Sequence, residues 1–329
     1  MFHFKSKKIG FLVKFLISFA TTLVLTLGGL YGYYLYIFSG MEIDSPLKPE
    51  EVGIEVQDYH ADHITNIALF GVDSKDSSMI GRSDGIVIVT LDNEKKEIRL
   101  SSIERDSYVV VEGYGKTKIN HAYAYGGPVL AVKTLNQNFG LDITDYLCIN
   151  FTNLELVIDE LGGIDLEVPE KYIPAVNKMI TASSNERGIT PKLITHAGVQ
   201  RLNGLQTLCM MRERKTVGGT SARAEMHELV LTACFESLKE QSLVDYPGIA
   251  KTMLNLVKTT LSREDVVSVG TNVIISGYEL RRAVFPLDVD KKGYGGKMIN
   301  GVWYLTFDPE GGKEHLQDYI YQGILYGEQ

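Results

Sequence analysis

Three patterns of apolar and polar positions alternate along the 329 residues. The first is one unbroken run. Phe15 to Met41, 27 residues rich in Leu, Phe, Val and Ile, holds no charge and exceeds the roughly 20 residues that a helix needs to cross a bilayer. It predicts a transmembrane helix. Lys5, Lys7, Lys8 and Lys14 precede the run, and Glu42 and Asp44 follow it. That asymmetry puts the N-terminus in the cytoplasm and residues 42–329 outside the cell membrane, as in a single-pass protein. Tyr31, Tyr33, Tyr34 and Tyr36 cluster at the far end, where an amphipathic ring buries its face and keeps its hydroxyl wet. A cleavable signal peptide is the competing reading. Against it, the run is about twice the usual apolar core and no small-residue cleavage site follows it.

The second pattern is a set of short β-branched runs, and the third is a three-to-four residue recurrence of apolar side chains. Asn66 to Phe70, Gly85 to Leu91 and Glu97 to Ile103 read as strands, the last two joined in hairpin fashion by residues 92–96. Val129, Leu130, Val132 and Leu135 share one face of a helix from Pro128 to Asn138 that Gly140 closes. Tyr146 to Phe151 reads as a strand, Thr152 to Leu161 as a helix stopped by Gly162-Gly163, and Ile164 to Val168 as a strand ended by Pro169. Residues 170–198 are polar and irregular, as in an excursion or loop. A helix through Leu208, a strand-like Cys209 to Arg212, and helices over Ser221 to Glu240, Tyr246 to Leu261 and Glu264 to Ser276 follow, then strands near Arg282 to Phe285 and Trp303 to Phe307. Residues 42–64, with Pro46, Pro49 and several acids, read as an extracellular stalk before one domain over 65–329. The fold class is α/β: a three-layer α-β-α sandwich with a mixed central sheet, preceded by the transmembrane helix.

Charge narrows the range of partners. The chain carries 33 basic and 41 acidic side chains, net -8; four Lys and no acid precede residue 42, so the remainder stands near -12. No basic stripe exists to neutralise a phosphate backbone, which argues against nucleic acid. The same balance makes any local cluster of arginines informative. Cys148, Cys209 and Cys234 are odd in number and lie in apolar contexts, as buried thiols do.

Candidate chemistry collects at strand ends. Asp73 follows the first strand and Arg82-Ser83-Asp84 precedes the next, an edge where open α/β sheets bind ligands. Two carboxylates suit a hard cation such as Mg2+, which shares oxygen ligands with phosphates; turn-forming aspartates are the alternative. Arg105-Asp106 ends the third strand, either as a salt-bridged surface turn or as a second source of site groups. Lys118-Ile-Asn120-His121-Ala-Tyr123-Ala-Tyr125-Gly126-Gly127 then leads to a helix N-terminus, itself attractive to anions. Arg212, Arg214 and Arg223 crowd within a dozen residues; they form either a solvated face or a set of planar forks for a pyrophosphate.

Taken in order, Gly-Val-Asp73, Arg82-Ser83-Asp84, Ser-Ile-Glu-Arg105-Asp106, the Lys118 to Gly127 stretch, Leu-Gly162-Gly163-Ile-Asp-Leu-Glu-Val-Pro169, Ala197-Gly198 with Leu202-Asn203-Gly204-Leu-Gln206, and Arg212-Glu-Arg214 resemble the LytR-CpsA-Psr family of cell-envelope proteins. The resemblance runs from about Asn66 to Lys239 and includes the single-span anchor. It implies transfer of a glycopolymer, such as wall teichoic acid or capsule, from an undecaprenyl-pyrophosphate carrier to the 6-hydroxyl of N-acetylmuramic acid in peptidoglycan. It implies Mg2+ held by Asp73 and Asp84, Arg105 and Asp84 as catalytic groups, and a pyrophosphate lined by Arg82, Arg105, Lys118, Arg212, Arg214, Arg223 and His227. It also implies an apolar channel for the polyprenyl tail, with Pro128 to Asn138 and Thr152 to Leu161 as candidate walls. The chain departs from the family pattern at Met226-His227, where Arg-Gln is common, at Thr220 and at Gly85. Two other functions use the same groups: a polyprenyl-pyrophosphate hydrolase, and a lipid-binding regulator of the envelope of the kind once described as transcriptional attenuators.

Overall fold

The computed structural model describes residues 3–54, 61–74, 79–213, 221–242, 244–287 and 293–327. The chain divides into two compact units, Met1–Met41 and Glu42–Gln329.

The first unit is a single helix, α1 (His3–Ile37), in which Tyr31 stacks on Tyr34 and Tyr33 on Tyr36. Among the described residues no helix is long and apolar enough to cross a membrane. The expected span begins at Phe15, whereas the described side chains of α1 begin at Phe19; the first part of the span therefore lies outside the described side chains.

In the second unit β1 (Glu42–Ile43) precedes β2 (Ile64–Val72), β3 (Ser83–Asp92), β4 (Glu97–Ile103) and a hairpin of β5 (Tyr108–Val111) and β6 (Gly115–Lys118). The chain continues through α2 (Asn120–Phe139), β7 (Asp145–Asn150), α3 (Phe151–Glu160), β8 (Ile164–Val168), α4 (Ile173–Arg187), β9 (Gly198–Leu202), α5 (Gly204–Arg212), α6 (Ser221–Lys239) and α7 (Tyr246–Leu254). It ends with β10 (Lys258–Thr259), α8 (Arg263–Ser276), β11 (Glu279–Phe285), β12 (Gly295–Ile299), β13 (Val302–Thr306) and α9 (Pro309–Gln317). The central sheet has the order β1-β10-β7-β2-β3-β4-β11 and is mixed: β2 is antiparallel to β3 and parallel to β7, and β11 is parallel to β4.

Strand alternation sends side chains to two faces. Ala68, Phe70, Val72, Ile86 and Ile88 pack with Val132, Leu135 and Phe139 of α2 and with Leu316, Tyr319 and Ile320 near the C-terminus. Ile67, Leu69, Val87, Val89 and Leu91 face Leu231 and Phe235 of α6 and Val266 and Val269 of α8. A third cluster joins α3, α4, α5 and α6. The sheet thus lies between two helical layers.

Several local expectations change. Residues 42–54 pack with the domain instead of standing off as a stalk: β1 pairs with β10, Asp44 N donates to Thr259 O, and Val52 is fully buried. The supposed excursion at 170–198 contains α4, whose Val176, Ile180 and Ser184 are buried on one stripe and whose end is capped by left-handed Gly188. Polar residues between these sparse anchors mask the helical period. Cys209 to Arg212 is the last turn of α5, set by a capping box at Asn203 and Gln206, and is not a strand. The expected helix over Tyr246 to Leu261 stops at Leu254, and its tail becomes the edge strand β10.

One buried ion pair fastens the sheet to the C-terminal segment. Arg99, fully buried, donates to Asp92 Oδ2 at 2.6 Å, to Glu97 Oε2 at 2.9 Å and to the carbonyl of Ile320 at 2.7 Å. Removing one partner of such a pair strands the other charge without water. Arg99→Met is expected to lower the unfolding free energy by about 3–5 kcal/mol. Urea denaturation followed through the fluorescence of the lone tryptophan, Trp303, checks this; a loss below about 1 kcal/mol, the range of exposed pairs, contradicts it.

Candidate functional site

The site begins where β2 and β3 lose register. Gly71 pairs with Gly85 but Val72 pairs with Ser83, which leaves Asp84 as an extra residue. A bulge of this kind re-aims the side chain that it carries. The loop between the strands closes tightly: Asp73 N donates to Arg82 O at 3.0 Å, and a Cβ on Gly81 would lie 2.5 Å from the Asp73 carbonyl oxygen. Only glycine fits there.

Asp84 meets Arg105 from the end of β4. Arg105 Nη1 lies 2.6 Å from Asp84 Oδ2, with both side chains about one-fifth exposed or less. Arg105 Nε also reaches Asp106 Oδ2 at 3.4 Å, and Asp106 Oδ1 accepts from Lys118 Nζ at 2.6 Å. Asp106 is therefore a buried hub for two of the expected site cations; its turn is fastened by Asn120 N to Arg105 O and by Leu305 N to Asp106 O. Charge-assisted bonds at partial burial hold the two cations in place.

Asp84, Ser102, Arg105, Ala224 and His227 line a small pocket. His227 also borders a small apolar cavity, lined by Leu69, Gly71, Gly85, Val87, Ile149, Phe151, Leu154, Met211, Val230 and Leu231 among others. The cavity exists because two residues without side chains face each other across β2 and β3 on the α6 side of the sheet. Of the two helices expected to wall an apolar channel, α3 contributes Phe151 and Leu154, whereas α2 packs on the opposite face of the sheet. Arg212 lies over the Phe151 ring at 5.5 Å, and the same ring is 6.3 Å from that of His227.

The other expected residues fall into place unevenly. Arg82 and Lys118 act together on His121, which burial and these two cations push below the usual imidazole range while Asp106 pulls it up. Thr117 Oγ1 lies 2.8 Å from His121 Nδ1. Asp73 is exposed at the end of β2. Arg214 lies outside the described residues; Arg223 is in α6 with its side chain outside them. The helix expected at Pro128 starts earlier, at Asn120, and is broken at Gly126 and Gly127, where φ of +64° at Gly127 suits glycine alone.

For a cation the donor set is carboxylate oxygen only. Among the described residues no three His, Cys, Asp or Glu side chains converge as a ready-made cage. Asp73 after β2 and Asp84 in β3 offer oxygen donors of the kind a hard cation takes, with Asp84 already paired to Arg105.

Sequence reasoning passed over Glu228, next to His227. It is 3% exposed and buried beside Ser102 of β4. No spacing in the sequence marks it, because its burial depends on where α6 crosses β4.

Three comparisons place the chain. The model of the LytR_cpsA_psr family matches residues 31–317, and the chain belongs to that family. It is 25% identical over 297 residues to the polyisoprenyl-teichoic acid–peptidoglycan teichoic acid transferase TagU of Bacillus cereus, covering 88% of this chain and 90% of that one. It is 32% identical over 213 residues to the regulatory protein MsrR of Staphylococcus aureus, covering 64% and 61%. Among solved structures it is similar to TagT bound to LIIa-WTA, with a TM-score of 0.63, 26% identity, and coverage of 82% of this chain and 95% of the other.

Glu228 gives the site a pH signature. Burial pushes its carboxyl from 4.5 up to about 7, against the lowering pull of Arg282 on β11 and of Ser102 on β4, while Glu225 on α6 raises it further. Between about pH 4.5 and pH 7 the folded chain keeps a proton that the unfolded chain has released, so stability falls as pH rises through that window and levels off above it. Glu228→Gln is expected to remove this fall and so to gain on the order of 3 kcal/mol relative to the parent on going from pH 4.5 to pH 8. Denaturation midpoints measured across that range check it; parallel pH profiles would contradict the assignment.

Proposed function

We propose that the protein is a transferase that moves a glycopolymer, wall teichoic acid, capsule or a related polysaccharide, from an undecaprenyl-pyrophosphate carrier to the 6-hydroxyl of N-acetylmuramic acid in peptidoglycan. The observation that carries the proposal is that an Asp84–Arg105 pocket and an apolar cavity adjoin through His227 and share one bulged strand. A carrier lipid needs that pairing of an anion site with an apolar one, and a glycan hydrolase or a nucleotide enzyme does not. The names of the relatives support the same substrate class.

In this reading Arg105, Lys118 and Arg82, with His227, Arg212, Arg214 and Arg223, hold the pyrophosphate, and the apolar cavity takes the first part of the polyprenyl tail. The acceptor oxygen bonds to the phosphorus nearest the sugar while its proton passes to Asp84. The bond from that phosphorus to the bridging oxygen breaks, and undecaprenyl phosphate leaves. Arg105 and its neighbours offset the charge that grows on the bridging oxygen; in phosphoryl transfer such positioning and charge stabilisation do most of the work. Asp73 and Asp84 would hold Mg2+, which supplies further charge neutralisation when bound. The same reading makes residues 1–41 a membrane anchor with a cytoplasmic N-terminus and the domain outside. It draws on the 35-residue α1, about 50 Å long at the rise of an α-helix.

The full-length protein in detergent, given a lipid-linked oligosaccharide, Mg2+ and peptidoglycan fragments, is expected to release undecaprenyl phosphate and yield a glycan-linked phosphodiester detectable by mass spectrometry. Arg105→Ala is expected to lower kcat/KM by about 10²–10³-fold; undiminished turnover would remove Arg105 from the site. Free sugar phosphate as product would instead mark a hydrolase. Lipid binding without turnover on any acceptor would favour a regulator, the reading suggested by the name of the staphylococcal relative.

The cavity has its own check. A Cβ on Gly71 would meet nothing closer than 3.5 Å, so the strand accepts a side chain there while the cavity loses volume. Gly71→Val is expected to weaken binding of a polyprenyl pyrophosphate by about tenfold, roughly the burial free energy of two methylenes, with no change for inorganic pyrophosphate. Equal effects on both ligands would separate the cavity from the tail.

A further inference from the structure

The β5–β6 hairpin and the start of α2 carry an exposed aromatic pair. Tyr114, in the turn of the β5–β6 hairpin, stacks on Tyr125 with ring centroids 4.2 Å apart and planes 20° apart. Both are exposed, 55% and 44%. His121, one helical turn before Tyr125, closes the group with its ring 5.7 Å away. An exposed aromatic pair contributes no core packing; it presents apolar faces with hydroxyl rims to solvent.

This surface connects to the pocket by short links. His121 lies beside Thr117 and feels the charges of Arg82, Lys118 and Asp106. Lys118 and Arg105 share Asp106, and Arg105 holds Asp84. Beyond Asp84 stands His227, then the apolar cavity. The order along this chain of contacts is therefore apolar cavity, cationic and carboxylate centre, aromatic pair.

A molecule that fills these three zones in sequence has an apolar tail, a diphosphate and then a group with a flat, partly apolar face and many hydroxyls. We propose that Tyr114 and Tyr125, with His121 at their edge, form a subsite for the saccharide next to the diphosphate. The C–H face of a pyranose ring stacks on the tyrosines while its hydroxyls meet the phenol oxygens and the imidazole. The proposal rests on the carrier-lipid reading above and adds which element meets the sugar.

The test compares two probes on the full-length protein in detergent: a polyprenyl pyrophosphate carrying an N-acetylhexosamine disaccharide, and the same lipid without sugar. The parent is expected to prefer the sugar-bearing probe, and Tyr114→Ala/Tyr125→Ala to lose about fivefold to tenfold of that preference with affinity for the bare lipid unchanged. Tyr114→Phe and Tyr125→Phe, which keep the ring face, are expected to retain most of it. A parent without preference, or a double alanine variant that keeps it, overturns the proposal. So does an equal loss on both probes with a lowered melting temperature, which would make the pair a pin between the hairpin and α2. Failure of the parent to bind the bare lipid would count against the carrier reading instead; the subsite is then judged on the soluble disaccharide 1-phosphate, whose binding must still depend on the two tyrosines.

Discussion

The antiparallel pairing of β2 and β3 slips by one residue beside two glycines that face each other, and most of what distinguishes this molecule follows from that slip. The slip leaves Asp84 as the extra residue at a strand end, where Arg105 can reach it. The glycine pair removes two side chains from the α6 face of the sheet, and the hollow that remains is bounded by Ile149, Phe151, Met211 and Val230. A strand in perfect register with ordinary side chains would bury that hollow and turn Asp84 elsewhere. One local irregularity thus produces a charged pocket and an apolar one side by side.

Electrostatics then divides the labour. In a domain with many more acids than bases, Arg105 and Lys118 are kept in position by Asp84 and Asp106. A guanidinium already paired at partial burial has given up most of its side-chain freedom on folding. His227 sits on the seam between the pockets.

Much of this could be read from the chain. Period-two runs located β2, β3 and β4, and Gly140 and Gly162-Gly163 ended helices as their left-handed backbones require. Asp84 and Arg105 were legible because both lie at strand ends. Other features were not, for physical reasons. The helix at 173–187 is held by only three buried side chains among polar neighbours, too few to show a period. The start of α2 was displaced to Pro128 because Gly126-Gly127 reads as a helix boundary, while the break is internal. Asp106 as a shared counterion, the Gly71–Gly85 hollow and the buried Glu228 all depend on residues brought together from separate elements, and one chain read alone carries no record of register between elements.

The sheet order has a consequence for how the domain is made. Its centre, β7-β2-β3-β4, comes from residues 64–150, but both borders come from the far end of the chain: β11 covers β4, and β10 covers β7 and is needed before β1 can join. Until about residue 259 has emerged the half-made sheet presents two open rows of backbone donors and acceptors, and until about residue 285 it still presents one, the condition under which strands recruit the wrong neighbours. Contacts so distant in sequence also form slowly. The nascent domain therefore passes through a long interval with bare edges, during which its fate depends as much on the speed of synthesis and on shielding by other molecules as on the stability of the finished fold.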